Sequence, residues 1–341
     1  MRDVAQHAGV SLATVSYVLN HGPRPVSEPM RRRVVDAMRE LGYERRARGR
    51  GRRRPKTYGA LVPQATNAFF SAVLAAAETE LAERGHLLVV ASSDDDPERE
   101  LHQLHSLRRA GIEGLLLTPC AELPPLVGEL ARRGLPVVLV DRDGGAGRYP
   151  RITMNNYASA RRAIRVLADC GHRRIAMING PDAVGTARER LRGYRDALAM
   201  AGLEARGQYV RSGPFDREFG RQAARALMAL AEPPDAIFSS SAILTAGVIE
   251  GLHQLGRRWP DDVALIGFGD APWAGLLAPP LTTIDQPHQE MGRTAARVLL
   301  DGAAAQPGHV VLDSHLILRE SHWKVSRSEE EMSAPGAARH G

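Results

Sequence analysis

From Tyr58 onward the chain alternates short apolar runs with stretches of helix length, and that alternation leaves few folds open. Strand-like runs stand at 59–62, 87–90, 114–117 and 136–140, with helical stretches at about 70–84, 97–110 and 121–133. Gly85, Gly111 and Gly134 punctuate the ends of those helices. A second set has strands at 174–178, 209–211, 235–238 and 263–268, with helices near 157–170, 186–201, 216–230 and 242–255. Short apolar strands joined by helices predict parallel sheets covered on both faces. Two such arrays in tandem predict two doubly wound lobes, with a ligand cleft at the carboxyl ends of their strands. No strict internal repeat relates the two arrays in sequence.

The first 43 residues follow a different pattern. Residues 4–20 read as helix, tight turn, helix, with Ala5, Ala8 and Val10 apolar before the turn and Val15, Val18 and Leu19 after it. Gly9 supplies the reversal, and Ser11 is placed to cap the second helix. A third helix is expected from a Ser27 cap, with Val34, Val35, Met38 and Leu41 at helical spacing and Gly42 at its end. This is a helix-turn-helix, whose second helix can enter a major groove. Charge favours that use over a plain helical bundle. Residues 1–56 hold 14 Lys/Arg against 5 Asp/Glu, whereas the rest of the chain holds 31 against 34. The basic excess therefore sits entirely in the first sixth of the sequence, as an electrostatic footprint on phosphates requires.

Residues 44–57 carry eight Lys/Arg in fourteen positions and read as a basic linker behind the DNA-reading unit. At 341 residues, with 43% hydrophobic and 25% charged, the chain has the composition of a soluble multidomain protein. No apolar run is long enough to span a bilayer, and Met1-Arg2-Asp3 does not begin a signal peptide, so a cytoplasmic location is expected. Cys120 and Cys170 are read as reduced, partly buried thiols. Residues 325–341, rich in Ser, Glu, Ala and Gly, read as a disordered tail without leucine heptads.

Residues 2–43, with Asp3-Val4-Ala5, Ala8-Gly9-Val10-Ser11, Ala13-Thr14-Val15-Ser16, Val18-Leu19-Asn20, Val26-Ser27 and Glu40-Leu41-Gly42-Tyr43, resemble the headpiece of the lactose-repressor/galactose-repressor (LacI/GalR) family. The start is about two residues short of that pattern, which leaves the first helix without its usual polar cap. The resemblance continues through Asn179-Gly180-Pro181, Arg190-Leu191-Arg192-Gly193-Tyr194, Ile266-Gly267-Phe268, Pro280-Leu281-Thr282-Thr283-Ile284 and Leu318-Arg319-Glu320-Ser321, to about residue 324. It implies an all-α helix-turn-helix headpiece fused to an α/β two-lobed, periplasmic-binding-protein-like core of two doubly wound parallel sheets. The implied layout is a headpiece at 1–43, a hinge at 44–57 and an effector-binding and dimerisation core at 58–324. Within the core the N-lobe takes 58–156 and 286–313, and the C-lobe 157–285 and 314–324.

The expected function is that of a homodimeric transcription regulator, a repressor, on a near-palindromic double-stranded DNA operator, tuned by a small-molecule effector between the lobes. Leu12, Ala13, Tyr17 and Asn20 lie where side chains face bases or sugars, Ser11 opens the reading helix, and Thr14 and Ser16 reach phosphates. The family often has a polar or basic residue where Tyr17 stands. In the linker Arg52 occupies the place of the family's minor-groove leucine, so minor-groove contact is expected to be electrostatic, through Arg50, Arg52 and Arg53. For the effector, Phe69 and Phe70 offer aromatic faces after the first strand, and Arg190 matches the family's effector-binding arginine. Thr186 and Phe215 match lesser contacts. Ser241-Ala242 replace the family's Asn-Asp, and Gly269 stands where it has Asp, with Asp270 one place later. Those losses argue against an unmodified hexose or pentose and for a sugar derivative or other small metabolite that is smaller, more apolar, or anionic at the Arg190 end.

Neither a catalytic set nor a cofactor or metal site is expected. Gly267-Phe268-Gly269 lacks a third glycine, His102 and His105 lack a third ligand, and Ser239-Ser240-Ser241 lack the frame of a nucleophile elbow. Asp94-Asp95-Asp96-Pro97 reads as a helix cap. A solute-binding protein or a sugar-metabolism enzyme of similar α/β fold is the alternative reading.

Overall fold

Helices α1 (Arg2–Ala8), α2 (Leu12–Asn20) and α3 (Glu28–Glu40) form the first unit of the computed structural model. The structure describes residues 1–20, 26–41, 55–145, 148–301 and 308–323, and the chain divides into Met1–Arg54 and Pro55–Gly341. Val4, Ala5, Ala8, Val15, Val18, Val34 and Ala37 close a small core. Gly9 ends α1 at φ 59°, where a β-carbon would be strained and would also meet Arg33 Nη2 at 2.7 Å. That guanidinium donates to the Ala8 carbonyl at 2.6 Å and satisfies a helix-end acceptor. Ser11 caps α2 by accepting from the Thr14 N–H at 3.1 Å. His7 and Glu40, 2.6 Å apart, join α1 to α3.

Two local expectations need correction. Ser27 stands at the N-cap of α3 but its hydroxyl caps nothing; its carbonyl accepts from Met30 and Arg31 instead. Val35 and Leu41 are exposed, and Ala37 takes the buried place between turns, because so small a unit covers only one stripe of each helix. Met1, at the N-cap of α1, makes no side-chain cap hydrogen bond. The Asn20 side chain, Gly42, Arg50, Arg52, Arg53 and residues 324–341 lie outside the described residues.

The second unit opens with β1 (Thr57–Val62), α4 (Ala68–Ala82), β2 (Leu87–Ser92), α5 (Pro97–Arg109), β3 (Leu115–Leu117), α6 (Pro125–Arg132), β4 (Val137–Val140) and β5 (Arg151–Met154). It continues with α7 (Asn156–Asp169), β6 (Ile175–Asn179), α8 (Gly185–Met200), β7 (Val210–Ser212), α9 (Arg217–Met228), β8 (Ala236–Ser239), α10 (Ala242–Gln254) and β9 (Ala264–Phe268). It ends with β10 (Thr282–Asp285), α11 (His288–Asp301), β11 (His309–Leu312) and β12 (His315–Ile317). One six-stranded sheet has the order β11-β5-β4-β3-β1-β2, the other β12-β10-β9-β8-β6-β7. The chain passes between the sheets after Met154, after Asp285 and at Asp313-Ser314.

The family's two-lobed α/β fold is present, with one departure from wholly parallel sheets: β12 runs antiparallel to β10. The third crossing explains it. Leu312 ends β11 at the cleft end of its sheet, and after only two intervening residues His315 pairs with Asp285, the last residue of β10. Two residues cannot carry the chain to the far end of the second sheet, so β12 must run back from the cleft. The central strands β3, β4, β6, β8 and β9 are fully buried, which is why they read as unbroken apolar runs. Edge strand β2 is apolar too, yet Leu87, Val89 and Val90 are exposed, contrary to the expected two-sided cover.

Candidate functional site

The carboxyl ends of strands from both sheets meet at one cavity of about 310 Å³. Val62 delivers Pro63-Gln64, Val140 delivers Asp141-Arg142, Ser239 leads to Ser241, Phe268 to Gly269-Asp270 and Asp285 to Gln286, and all of these but Ser239, Val62, Val140 and Phe268 themselves line the space. This is where parallel α/β sheets present backbone and side chains to a ligand, since each chain turns there from strand into helix. All seven side chains singled out in the sequence, Phe69, Phe70, Thr186, Arg190, Phe215, Ser241 and Asp270, line it.

Arg190, from the first turns of α8, is buried and closely held. Its Nε donates to Asn156 Oδ1 at 2.8 Å and its Nη1 to the Ser240 carbonyl at 2.6 Å. The guanidinium lies over the Phe268 ring, 3.8 Å from the centroid. Burial lowers its pKa to about 10, which leaves it charged at neutral pH. A cation fixed on this many partners is oriented before any ligand arrives.

Facing it is a pair that the sequence reading missed. Asp141 sits at φ 64° with its Oδ1 buried and without a partner among the described residues. Burial pushes its carboxyl upward, against the pull of Arg190 and Arg142. The buried Arg142 donates through Nη1 to Asp95 and to the Pro119 carbonyl, while its Nε has no partner among the described residues. Its guanidinium also stands 5.9 Å from the Phe215 ring centroid, across the space between the two sheets. Phe215 in turn rests on Gly180, where a β-carbon would lie 2.0 Å from the ring. Gly180 is therefore the floor on which that aromatic is seated.

The aspartate run divides its work. Asp96 caps α5, accepting from Glu98 and Arg99 N–H groups, as the sequence suggested. Asp95 turns into the cavity toward Arg142, and Asp94 pairs with Arg99. Spacing alone could not separate them, because the left-handed backbone at Asp94 and Asp95 redirects their side chains. Asp270, one place after Gly269, is already engaged by other side chains. Both its oxygens accept from Arg319, and Oδ1 accepts from Thr283 as well. Burial acts to raise its pKa, but the bonds from Arg319 and Thr283 outweigh it and hold the carboxyl below its usual range. Ser241 spends its hydroxyl on the Leu244 N–H as the cap of α10. The two departures at Ala242 and Gly269 are neighbours: a β-carbon on Gly269 would lie 3.2 Å from that of Ala242. Both family polar positions are thus lost at one corner of the cavity, where Gln286 Oε1, 3.3 Å from the same point, is the polar side-chain atom at hand.

Both cysteines are free. Cys120 is buried beneath this region, its thiol donating to Ser93 and its N–H to Glu100; burial and then Glu100 push the thiol up to about 12, so it stays protonated. In the other unit, Leu12 and Ala13 of α2 are exposed and Ser16 and Tyr17 half-buried, while the Ser11 and Thr14 hydroxyls share a 2.8 Å hydrogen bond. No helix among the described residues is long and apolar enough to cross a membrane.

Comparison with known proteins matches residues 1–46 to the model described as bacterial regulatory proteins, lacI family, and residues 55–312 to periplasmic binding proteins and sugar binding domain of LacI family. The chain is 36% identical over 304 residues to the ribose operon repressor of Escherichia coli (strain K12), covering 88% of this chain and 92% of that protein. It is 33% identical over 327 residues to the HTH-type transcriptional repressor CytR of the same organism, covering 94% and 95%. The solved complex of the transcriptional regulator CelR with cellobiose superposes with a TM-score of 0.72 at 33% identity, covering 94% of this chain and 98% of the other.

Proposed function

Because the chain belongs to the LacI family of bacterial regulatory proteins, DNA-binding transcriptional repressors with a sugar-binding domain, we propose that it is a homodimer whose grip on a near-palindromic operator is set by a small molecule bound in the interlobe cavity. The observation that carries this reading is the convergence of Arg190, Arg142 and Asp141 with Phe69, Phe70 and Phe215 at the strand ends of both sheets. Residues 1–43 read the operator, 44–57 grip phosphates and the minor groove through Arg50, Arg52 and Arg53, and 58–324 bind effector and pair two copies. The exposed Leu87, Val89 and Val90 on edge strand β2, with Leu276 in the other lobe, offer apolar surface for that pairing.

The solved CelR complex holds cellobiose, so carbohydrates head the candidate effectors. The depleted corner at Ala242 and Gly269 favours a sugar derivative or other metabolite with one apolar face. Its polar groups meet Arg190 and the Asp141 oxygen that has no partner among the described residues. Phe215 and Arg142 come from opposite lobes, so a ligand held between them biases lobe closure, and closure changes the spacing of the paired headpieces. The test is selection of genomic fragments bound by the purified protein, followed by a metabolite panel scored for release or tightening. Enrichment of a palindromic site and a response to one metabolite class are expected; no enrichment over bulk competitor DNA overturns the reading.

A further inference from the structure

The reading helix α2, Leu12-Ala13-Thr14-Val15-Ser16-Tyr17-Val18-Leu19-Asn20, contains no charged residue. Its buried side holds Val15 and Val18. Its open side presents Leu12, 45% exposed, with Ala13 exposed and Ser16 and Tyr17 half-buried one turn on. Ser11 and Thr14, the hydroxyls closest to the helix start, are engaged with each other and with the cap N–H. The cations of this unit stand elsewhere: Arg32 and Arg39 are exposed on α3, and the arginine run lies in the linker sequence.

Major-groove chemistry turns this inventory into a specificity. Guanine is read by a two-pronged Arg or Lys on O6 and N7, cytosine by Asp or Glu on its amino group, and adenine by Asn or Gln. The open side of α2 has none of the first two sets, and its single amide, Asn20, is its last residue, whereas the N-terminal residues of such a helix contact base edges. What Leu12, Ala13 and the Tyr17 ring can bury is the C5-methyl group of thymine. An exposed leucine at this place has no partner within its own small core, and a methyl group supplies one.

We infer that Leu12, Ala13 and Tyr17 read the operator half-site through thymine methyl groups rather than through guanine edges. This rests on α2 being the operator-reading helix, and it adds which base feature the helix recognises. Phosphate contacts from the arginines then carry most of the affinity, and the methyl contacts carry the choice of sequence.

The experiment uses the full-length protein and the site that emerges from random-sequence selection. Each thymine of a half-site is replaced in turn by uracil, which keeps pairing and removes only the methyl. Each guanine is replaced by 7-deazaguanine, which removes N7. Uracil at the contacted positions weakens binding about four-fold per methyl, the worth of one buried carbon, and 7-deazaguanine leaves it unchanged. Leu12→Ala erases the uracil penalty at one position while the others persist; because Leu12 is exposed, circular dichroism of the variant matches the parent. Tyr17→Phe keeps the sensitivity to methyl groups. A selected site that is indifferent to uracil at every thymine, or that loses binding on 7-deazaguanine, overturns the inference and leaves the repressor reading standing. Failure to enrich any sequence overturns both.

Discussion

In the headpiece, Arg32 stands with 77% of its side chain in solvent, and its nearest carboxylate, Glu28, is 4.0 Å away. In the core, Arg142 and Arg190 are almost wholly withdrawn from solvent and held by carboxylate, amide and carbonyl oxygens. On the proposed function, the same residue type serves two kinds of recognition. A polyanionic duplex brings many charges at once, so the cations that meet it stay hydrated, mobile and screened by salt until contact. A small molecule brings only a few groups, so the side chains that meet it must be desolvated and oriented in advance. Long-range charge gathers the first partner; short-range geometry discriminates the second.

The sharpest challenge to this contrast is Arg190→Ala. It strips Asn156 and the Ser240 carbonyl of their donor and leaves Asp141 with one cation fewer. Effector affinity measured by calorimetry should fall at least about 100-fold, since charge-assisted bonds in a buried site are worth several kcal/mol together. DNA binding without effector should persist, and a variant that lost both equally would break the division of labour.

Salt challenges the headpiece side of the contrast. Raising ionic strength from about 50 to 200 mM should weaken operator binding by roughly 10³-fold or more if six or more phosphates are neutralised. Effector affinity should hardly change, because its charges are buried. Replacing Arg50, Arg52 and Arg53 with glutamine should flatten the logarithmic salt slope by about one per arginine that touches a phosphate.

Gly180→Ala probes the cleft without touching a charge. The new β-carbon meets the Phe215 ring, so the ring must leave its seat, at a cost of roughly 1–3 kcal/mol in stability or effector binding. Unchanged thermal unfolding together with unchanged effector affinity would show that Phe215 has room the geometry denies. Val89→Glu on the exposed edge of β2 tests pairing: sedimentation should show monomer where the parent sediments as a dimer.

The smallest effect is the most diagnostic for the buried carboxyl. Burial raises the pKa of Asp141 in the folded state, so the native protein holds this proton over a pH range where the unfolded chain has lost it. The group therefore costs stability as pH rises above its unfolded value. Asp141→Asn removes that cost, and asparagine tolerates the left-handed backbone there. The variant should be more stable than the parent near neutral pH by about 1 kcal/mol, with the difference closing as pH falls toward 4. Asp270 should behave in the opposite sense. Its carboxyl is held low, so its contribution is present above its unfolded pKa and lost as pH falls through the folded one. Acid unfolding of Asp270→Asn should accordingly be less steep than that of the parent.

Most helices and the central strands were legible because burial on both sides leaves an unbroken apolar run, as in Leu115–Leu117 and Val137–Val140. The elements that escaped the periodicity are peripheral or short. Arg151–Met154 alternates burial with a charged residue at its start, and His309–Leu312 and His315–Ile317 are short, partly exposed edge strands. Helix His288–Asp301 was passed over, although Met291, Ala295, Ala296 and Leu299 follow helical spacing; a composition of small residues makes a weak signal. In the cavity, Phe69 and Phe70 came from their place after the first strand, and Thr186, Arg190 and Phe215 from resemblance to a family pattern. Arg142 and Asp95 did not: 47 residues apart, they became partners only when β4 was placed near the loop after β2.

Local chemistry along the chain was enough to establish a helix-turn-helix with its cationic excess and a twofold α/β array, since capping, periodicity and charge act between residues a few places apart. The family resemblance added Ser241-Ala242 and Gly269 as departures from its pattern. Only the folded molecule decided that those two departures adjoin, that Asp270 is taken by Arg319, and that Asp141, with an oxygen unpartnered among the described residues, lies near Arg190. Each of these depends on which strand ends lie side by side, and contacts across such distances in sequence are set by the packing of the whole sheet rather than by any segment within it.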